Sequence, residues 1–412
     1  MNQRGAQDRA SYLNQLCDLL WPPPAQALPA TARPMSGGRG EADDTAMLVL
    51  PRLRDPRLLV PAEPRAGSAA VRRYGEPGSV RSRLVTRVAA AVLASGLGGL
   101  VLRDRISVRV PPGAQTIESH LSSALGRPVL VSIHLGAARA NRKPVLQLLT
   151  PSGESIGFAK IGHNPLTADL VRAEHAALGR LNAAGLISLQ VPPVLGLSGW
   201  RGMEVLVLGP LPVWQRRTPL RPGQLTSAMA EVANVAGVRH APLAASEYWQ
   251  RLTERVDRAG GTERAALRAA IDQLATRAGI SPVGFGSWHG DWTRWNMAST
   301  PGGLLVWDWE RFTTGVPVGF DALHCWLQAE VVGGRRDPAR AAADCVRRAP
   351  ALLEPFGVPP ALAGLTALLY LADLSARYLT DRQEQAGAPL GAPRQWLLPA
   401  LTAGISGLLQ PG

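Results

Sequence analysis

The sequence predicts an α+β fold of two lobes, a small antiparallel sheet followed by a mostly helical lobe, with an additional α/β extension at the N-terminus. Strand-like segments with alternating apolar residues run through residues 129–208. Apolar residues at helical spacing dominate from residue 225 onward. The predicted divisions are a disordered N-terminus over 1–45, the extension over 46–106, the sheet lobe over 107–208 and the helical lobe over 209–412.

The N-terminal part has a composition unlike the rest of the chain. Residues 22–45 are rich in Pro, Gly and Ala, which is typical of disorder. Two apolar runs, 47–50 and 58–60, predict a strand pair, and helices are expected near 66–74 and 80–94. Basic residues beside an apolar helix could dock an anionic membrane or an acidic partner, but such a face is usually only solvated. These residues are Arg72, Arg73, Arg81, Arg83 and Arg87.

Several polar residues flank a short apolar run late in the chain, residues 304–307. Asp291 and Asn296 lie five residues apart on a segment too short and too aromatic for a helix, and Asp308 follows a predicted strand. Asp and Asn oxygens suit Mg²⁺, and Mg²⁺ neutralises nucleotide phosphates. A lone His-Gly-Asp sequence usually marks a turn. The ordered set of His289, Asp291, Asn296 and Asp308 is much harder to meet by chance and favours a phosphate-transferring site.

This pattern resembles the aminoglycoside phosphotransferase and choline kinase group, small-molecule relatives of the protein kinases, over about residues 129–379. The resemblance implies a protein kinase-like two-lobed fold with ATP or GTP and Mg²⁺ as cofactors. It implies that Asp291 is the catalytic residue that orients or accepts the proton of the substrate hydroxyl. Asn296 and Asp308 are then the Mg²⁺ ligands, and His289 braces the loop.

The resemblance also marks residues around this motif. The run Thr293-Arg294-Trp295 departs from the usual family pattern, which leaves Arg294 as a candidate for contact with the transferred phosphate. Asp321 matches a family residue that braces the catalytic loop through hydrogen bonds, with a helix N-cap as the simpler interpretation.

A kinase also requires a lysine on an upstream strand and a glutamate on the following helix. Residues 154–162 alternate as a strand that carries Lys160, and 165–184 has helical spacing with Glu174 near its middle. We therefore expect Lys160 and Glu174 to form an ion pair that holds the nucleotide phosphates. The alternative is an edge-strand lysine that only keeps the sheet soluble.

A predicted hairpin precedes this lysine strand. Residues 129–135 and 145–150 have the composition of strands, and a basic turn joins them. Arg139 and Asn141 in this turn are candidates for nucleotide binding. A basic hairpin tip is more often simply solvated.

Substrate recognition is the least defined part of the prediction. Trp292 and Trp309 adjoin the proposed catalytic residues, and aromatic faces bind sugar rings or cationic amines, but both are also suited to core packing. Glu310 and Glu330 are acidic candidates for a cationic substrate, yet the acidic residues form no obvious cluster. The expected acceptor is a sugar, an amino alcohol or another small hydroxyl compound, ahead of an aminoglycoside.

Composition limits the remaining classes of function. A hydrophobic content of 46% over 412 residues is ordinary for a globular protein. The net charge of +13 is scattered as arginine and no nucleic-acid motif is present, so DNA or RNA binding is not expected. Three cysteines without metal or disulfide spacing, and no export signal, predict a cytoplasmic protein.

Two functions remain from the sequence. The first is an ATP- and Mg²⁺-dependent kinase for a hydroxyl group of a small molecule. The second is a nucleotide-binding regulatory pseudokinase or scaffold whose N-terminal third docks a partner. The five polar residues that the chemistry requires are all present, whereas a pseudoenzyme is expected to have lost at least one.

Overall fold

The chain forms the α+β fold that the sequence predicts. A computed structural model describes residues 3–30, 43–74, 80–136, 142–221, 223–333, 336–380 and 393–407. Its contacts divide the chain into two compact units. The first unit contains residues 1–138, 142–171 and 193–210, and the second contains 139–141, 172–192 and 211–412.

The first unit is built on a nine-stranded sheet in the order β1-β4-β2-β3-β5-β6-β7-β10-β9. Every neighbouring pair in it is antiparallel. The strands are β1 (Gln26–Ala30), β2 (Asp43–Arg52), β3 (Asp55–Pro61), β4 (Arg105–Val110), β5 (Leu130–His134), β6 (Val145–Leu149), β7 (Ser155–Gly162), β9 (Val194–Trp200) and β10 (Met203–Leu208).

Helices cover both faces of this sheet because its strands alternate apolar side chains to either side. Leu59 of β3 packs in one core cluster with α1 and α5, whereas its neighbours Leu58 and Val60 pack in another with α2 and α3. The helices of the unit are α1 (Gln3–Leu20), α2 (Pro64–Tyr74), α3 (Val80–Ala94), α4 (Gly98–Val101) and α5 (Ile117–Leu125), with the start of α6 (Pro165–Ala183).

The prediction of disorder over residues 1–45 is wrong for the segments that form α1 and β1. Leu13, Leu16 and Leu20 of α1 recur at helical spacing and are buried against the sheet. The Pro- and Ala-rich composition that suggested disorder continues through β1, which pairs with β4. Residues 31–42 of the same predicted segment lie outside the described part of the chain.

The expected boundary between an extension and a sheet lobe falls inside one strand. Residues 106 and 107 are both part of β4, and β3 pairs directly with β5 through Leu58 with His134 and Leu59 with Ile133. The extension and the predicted sheet lobe therefore share one sheet and one compact unit, rather than forming separate domains.

This shared sheet makes a prediction about stability. Leu59 is fully buried at the strand that joins the two halves of the sheet, so Leu59→Ala is expected to lower the unfolding free energy by ~2–5 kcal/mol through cavity formation. Leu28→Ala is the matched control, because Leu28 lies on edge strand β1 with 61% of its surface exposed. Chemical denaturation measures the unfolding free energy of both variants. An equal loss of unfolding free energy in the two would contradict the shared core.

The second unit is mostly helical, with two small sheets. One sheet has the order β11-β12-β15 and the other β13-β14-β8. The strands are β8 (Leu189–Gln190), β11 (Arg239–Pro242), β12 (Pro282–Trp288), β13 (Met297–Thr300), β14 (Gly303–Val306) and β15 (Thr313–Pro317). The helices are the rest of α6, α7 (Gln224–Asn234), α8 (Glu247–Arg258), α9 (Glu263–Ala278), α10 (Phe320–Gln328), α11 (Pro338–Leu353), α12 (Pro360–Thr380) and α13 (Pro393–Gly407).

Residues 317–332, within the region of apolar residues at helical spacing, do not form one continuous helix. Residues up to Pro317 form β15, which pairs with β12, and Gly319 with φ 93° precedes α10. After Gln328 the chain continues as a π-helical turn over Ala329–Gly333. The first turn of α10 therefore lies close to the end of β12, where the predicted catalytic segment begins.

Helix α12 is the central buried helix of this unit. Its residues join α8, α9 and α13 in one hydrophobic cluster, and polar Asp373 accepts a hydrogen bond from Arg255 at 3.0 Å. Within the described residues no single helix is long and apolar enough to cross a membrane; only the bent pair 338–356 and 360–380, taken together, meets that test of length and composition.

Candidate active site

The predicted catalytic residues lie on the connections between the strands of the second unit. Strand β12 leads into a loop over residues 289–293 and a short 3₁₀ turn over Arg294–Asn296. The hairpin β13–β14 follows, and Asp308 stands just after it. Positions that are up to 19 residues apart in the chain are thereby brought to one end of the hairpin.

Asp321 holds the start of the catalytic loop. Its carboxylate accepts the backbone N–H of His289 at 2.7 Å and of Gly290 at 3.2 Å. It lies in the first turn of α10, where the N-cap residue is Gly319 and no side chain caps the helix. Burial raises the pKa of Asp321 to about 7, although the two N–H donors oppose the shift by stabilising the charged form.

His289 is a fully buried, neutral link between the loop and the hairpin. Its Nδ1 accepts the backbone N–H of Asp291 at 3.1 Å, so Nε2 carries the proton and donates to the carbonyl oxygen of Trp307 at 3.1 Å. Burial lowers the pKa of His289 to about 4, which keeps the ring neutral and able to accept at Nδ1. The ring thus fixes the distance between the segments that carry Asp291 and Asp308.

Asn296 and Asp291 orient each other. The Nδ2 group of Asn296 donates to the backbone oxygen of Asp291 at 2.9 Å and to its Oδ2 at 3.0 Å. Since both amide protons are directed at Asp291, the Asn296 Oδ1 is left as an acceptor, which is the atom that binds a hard cation. Asn296 is buried, whereas the side chain of Asp291 remains 36% exposed.

Two contacts around Asp291 come from residues that the sequence analysis did not identify. His324 Nε2 lies 3.2 Å from Asp291 Oδ1, and Arg377 donates a hydrogen bond to the backbone oxygen of Gly290. Burial raises the pKa of Asp291, but the His324 hydrogen bond and the charge of Arg377 outweigh it and leave that pKa below its usual value. Asp291 is therefore ionised at neutral pH.

The hairpin β13–β14 brings Asn296 and Asp308 to the same end. Met297 pairs with Val306, and the N–H of Trp307 donates to the backbone oxygen of Asn296 at 3.0 Å. Asp308 follows with φ 71° and ψ 56°, the left-handed region that residues other than glycine seldom adopt. Such backbone strain is concentrated at functional sites, where the surrounding structure holds it.

Three carboxylates meet at this point. Oxygen atoms of Glu174, Asp308 and Glu310 lie within 4.8 Å of one another. The backbone N–H of Trp309 donates to Glu174 Oε1 at 3.2 Å, which fixes this part of α6 to the segment after Asp308. Carboxylate oxygens are ligands that Mg²⁺ prefers in proteins. Glu310, which the sequence analysis considered for substrate binding, is 8% exposed and belongs to this cluster.

The tryptophans beside the catalytic residues belong to the core. Trp292 and Trp309 have no exposed surface and pack around His289, with the centroids of the His289 and Trp309 rings 4.4 Å apart. Neither ring presents a face to a ligand, so the expected substrate contact does not fit this structure. The two rings are buried because they fill the space between the loop and the hairpin. Trp295, in contrast, is 48% exposed.

The remaining predicted residues lie in different parts of the chain. Lys160 is buried on β7 of the first unit, opposite Val145 and Leu206 in the register of the sheet. Glu174 belongs to the second unit. The ion pair between Lys160 and Glu174 stays a prediction. Arg294 is exposed in the 3₁₀ turn. Arg139 and Asn141 lie outside the described residues.

Gly290 allows the loop its conformation. Its φ is 85°, and a Cβ at this position collides with the carbonyl oxygen of Arg311. Gly290→Ala is therefore expected to lower the unfolding free energy by about 3 kcal/mol or more, from backbone strain and the collision together. Thermal unfolding gives the measurement.

Gly357 supplies the matched control for that substitution. It also has a positive φ, 71°, but a Cβ there meets no atom within 4 Å. Gly357→Ala is expected to lower the unfolding free energy by about 1–2 kcal/mol, from backbone strain alone. Equal losses at the two positions would show that the contact with Arg311 does not constrain the loop.

The structure is similar to solved structures of small-molecule kinases at low sequence identity. A thermostable mutant of the aminoglycoside phosphotransferase APH(4)-Ia, in a complex with ADP and hygromycin B, matches with a TM-score of 0.46 and 13% identity, covering 72% of this chain and 100% of that chain. The choline kinase LicA from Streptococcus pneumoniae matches with a TM-score of 0.44 and 16% identity, covering 71% and 98%. The amicoumacin kinase hAmiN matches with 0.41 and 13%, covering 68% and 87%.

These neighbours include members of the two groups that the catalytic motif resembles, the aminoglycoside phosphotransferases and the choline kinases. No protein-family model and no curated protein matches the chain.

Proposed function

We propose that this protein is an ATP- and Mg²⁺-dependent phosphotransferase that phosphorylates a hydroxyl group of a small molecule. The observation that carries the proposal is the arrangement around Asp291, a partly exposed, ionised carboxylate on a loop that Asp321, His289 and Asn296 hold by hydrogen bonds. A loop built only for structure does not require a charged group to be kept ionised and open to a ligand. The motif's resemblance to small-molecule kinases supports the same class of reaction.

Asp291 is proposed to bind the acceptor hydroxyl. His324 donates to its Oδ1 and Asn296 to its Oδ2, and each oxygen keeps a further lone pair for the O–H of the acceptor. As the acceptor oxygen forms its bond to the γ-phosphorus, the bond from that phosphorus to the bridging oxygen breaks and ADP leaves. The proton of the acceptor passes to the Asp291 carboxylate.

The hydrogen bonds that hold the Asp291 carboxylate define how it takes part. A carboxylate with a pKa below its usual value is a weak base toward an alcohol, so it orients the hydroxyl and receives the proton only late in the transfer. This agrees with phosphoryl transfer, in which the transition state is loose and positioning supplies most of the catalysis.

Asn296 and Asp308 fit a magnesium ion by their chemistry. The Asn296 Oδ1 is left as an acceptor because Nδ2 donates to Asp291, and Asp308 belongs to the carboxylate cluster with Glu174 and Glu310. When bound, Mg²⁺ supplies the positive charge that neutralises the phosphates of the nucleotide. His289 keeps the loop that carries Asp291 at a fixed separation from the segment that carries Asp308, through hydrogen bonds at both ring nitrogens.

A screen of acceptors tests this proposal. With Mg²⁺ present, release of ADP from ATP, and in a parallel series of GDP from GTP, is followed for panels of sugars, amino alcohols and aminoglycosides. We expect turnover that requires an acceptor and that chelation of Mg²⁺ abolishes. Nucleotide binding with no acceptor-dependent turnover in any panel would contradict the proposal and favour the regulatory pseudokinase.

The acceptor class is part of the proposal. In the cluster of Glu174, Asp308 and Glu310, two members are buried and Asp308 is half-buried, and the exposed Arg294 follows three residues after Asp291 in the chain. A polycationic substrate gains little from such surroundings. Sugars and amino alcohols are therefore expected to be phosphorylated more efficiently than aminoglycosides in the same screen.

A further inference from the structure

A buried pair of side chains stands behind Asp291, on the helices α10 and α12. His324 Nε2 lies 3.2 Å from Asp291 Oδ1, and His324 Nδ1 lies 3.0 Å from the hydroxyl of Tyr370. The His324 side chain is 1% exposed, and Tyr370 has no exposed surface. The two residues lie 33 and 79 positions after Asp291 in the chain, and neither belongs to the motif that identifies the catalytic loop.

The chemistry of the partners sets the direction of these hydrogen bonds. An ionised carboxylate only accepts, so Nε2 of His324 carries the proton that it donates to Asp291. In a neutral imidazole Nδ1 is then an acceptor, and the Tyr370 hydroxyl donates to it. Burial lowers the pKa of His324 and raises that of Tyr370 well above its usual value, so both groups are neutral.

The packing of the imidazole leaves it little freedom. Its ring makes edge-to-face contacts with Trp288 and Tyr370, at centroid distances of 6.3 Å and 6.0 Å. Trp288 is the last residue of β12, directly before the catalytic loop. The ring is therefore held by the same strand that positions the loop, as well as by α12.

A carboxylate needs two anchors to fix its plane. The terminal torsion of an aspartate is broad, so the Asn296 contact to Oδ2 alone allows the carboxylate to rotate about that contact. The His324 contact reaches the other oxygen, Oδ1, from a different element. Together the two contacts define the carboxylate plane and thus the direction of its remaining lone pairs.

We propose that His324, held in place by Tyr370, is a positioning residue that sets the plane of the Asp291 carboxylate for the acceptor hydroxyl. The inference rests on the proposed phosphotransfer function, because it assigns to Asp291 the contact with the acceptor. His324 itself touches no substrate. The general expectation for such a residue is an effect on turnover without an effect on nucleotide affinity.

Two substitutions of His324 separate positioning from packing. His324→Leu removes the donor, whereas His324→Gln keeps an N–H group at a similar distance along the side chain. We expect the Leu variant to lower kcat by ~10–100-fold with the KM for ATP changed less than about twofold. The Gln variant is expected to recover most of the lost kcat. A wild-type kcat in the Leu variant, or equal losses in both variants, would overturn the inference.

Tyr370→Phe provides a milder variant should the Leu variant fail to fold. It removes only the hydroxyl that donates to Nδ1, so the imidazole loses one of its two hydrogen bonds and is held less firmly against Asp291. A reduced kcat at unchanged KM for ATP is expected, smaller than in the Leu variant. An unchanged kcat would contradict the role of Tyr370 in holding His324.

A crystallographic comparison tests the inference without any turnover. Crystal structures of the wild-type protein and of the Leu and Gln variants show the orientation of the Asp291 carboxylate directly. We expect the carboxylate to be rotated or spread over several orientations in the Leu variant and to be wild-type in the Gln variant. The same single orientation in the Leu variant would overturn the positioning role. An absence of turnover in the wild-type protein would overturn phosphotransfer and leave this comparison still decisive.

Discussion

Asp291→Asn is expected to lower kcat by roughly 10²–10⁴-fold with the best acceptor from the screen, because the amide neither carries the charge nor accepts the proton. In the variant an Nδ2 donor replaces one acceptor oxygen of Asp291. This new donor faces another donor, either Asn296 Nδ2 or His324 Nε2. The KM for ATP is expected to change little, since Asp291 is assigned to the acceptor. A coupled assay of ADP release measures both constants.

Asp272→Asn is the matched control for this variant. Asp272 lies on α9 of the same unit, where its exposed carboxylate pairs with Arg268, and exposed pairs contribute at most about 1 kcal/mol. Its turnover should equal that of the wild-type protein. If the Asp291 variant kept wild-type turnover while folding normally, the assignment of Asp291 as the residue that orients the acceptor would fail.

The second large effect is expected at Asp308. Asp308→Asn removes the one charged member of the predicted ligand pair, so turnover is expected to fall on the order of 100-fold or more. The dependence on Mg²⁺ should also move to higher concentrations. Calorimetric titration of a non-hydrolysable ATP analogue, with and without Mg²⁺, separates metal binding from the chemical step.

Glu310→Gln provides the discriminating comparison for Asp308. Glu310 shares the carboxylate cluster, but it is not among the residues that the motif assigns to the metal. We expect this variant to keep most of the Mg²⁺ dependence that the Asp308 variant loses. If the Glu310 variant loses Mg²⁺-dependent binding and the Asp308 variant retains it, the ligand assignment is wrong.

The sequence predicted those parts of the site that lie on one short stretch of chain. His289, Asp291, Asn296 and Asp308 are close in the sequence, and their order and spacing reflect a strand, a turn and a hairpin, whose geometry is local. Helix α3 and the β2–β3 pair were likewise predictable, because their apolar patterns are local.

The residues that the sequence analysis missed come from distant helices. From α12, Arg377 reaches the loop at Gly290, which lies 87 residues earlier in the chain, and Tyr370 contacts His324. A single polar residue in an apolar helix carries no sign of its partner, and His324 in α10 has the same character. The available signal was their position in helices that are otherwise buried, where polar side chains need partners.

The N-terminal part was mispredicted for a different physical reason. The Pro-, Gly- and Ala-rich composition of residues 22–45 led to a prediction of disorder over 1–45. The preceding segment, however, has Leu13, Leu16 and Leu20 at helical spacing and forms a helix. The predicted boundary at 106/107 lies inside β4, because hydrogen bonding between strands does not follow the limits of a family resemblance. An edge strand of a predicted sheet always offers a position for further strands.

Transfer of a labelled γ-phosphoryl group tests the central claim most directly. ATP labelled at the γ-position is incubated with Mg²⁺, the acceptor panels and either the wild-type protein or the Asp291→Asn variant, and the products are separated and identified by mass. The account predicts a phosphorylated small molecule with the wild-type protein and little or none with the variant. Label that stays in ATP or appears only as inorganic phosphate, with every acceptor, would contradict it.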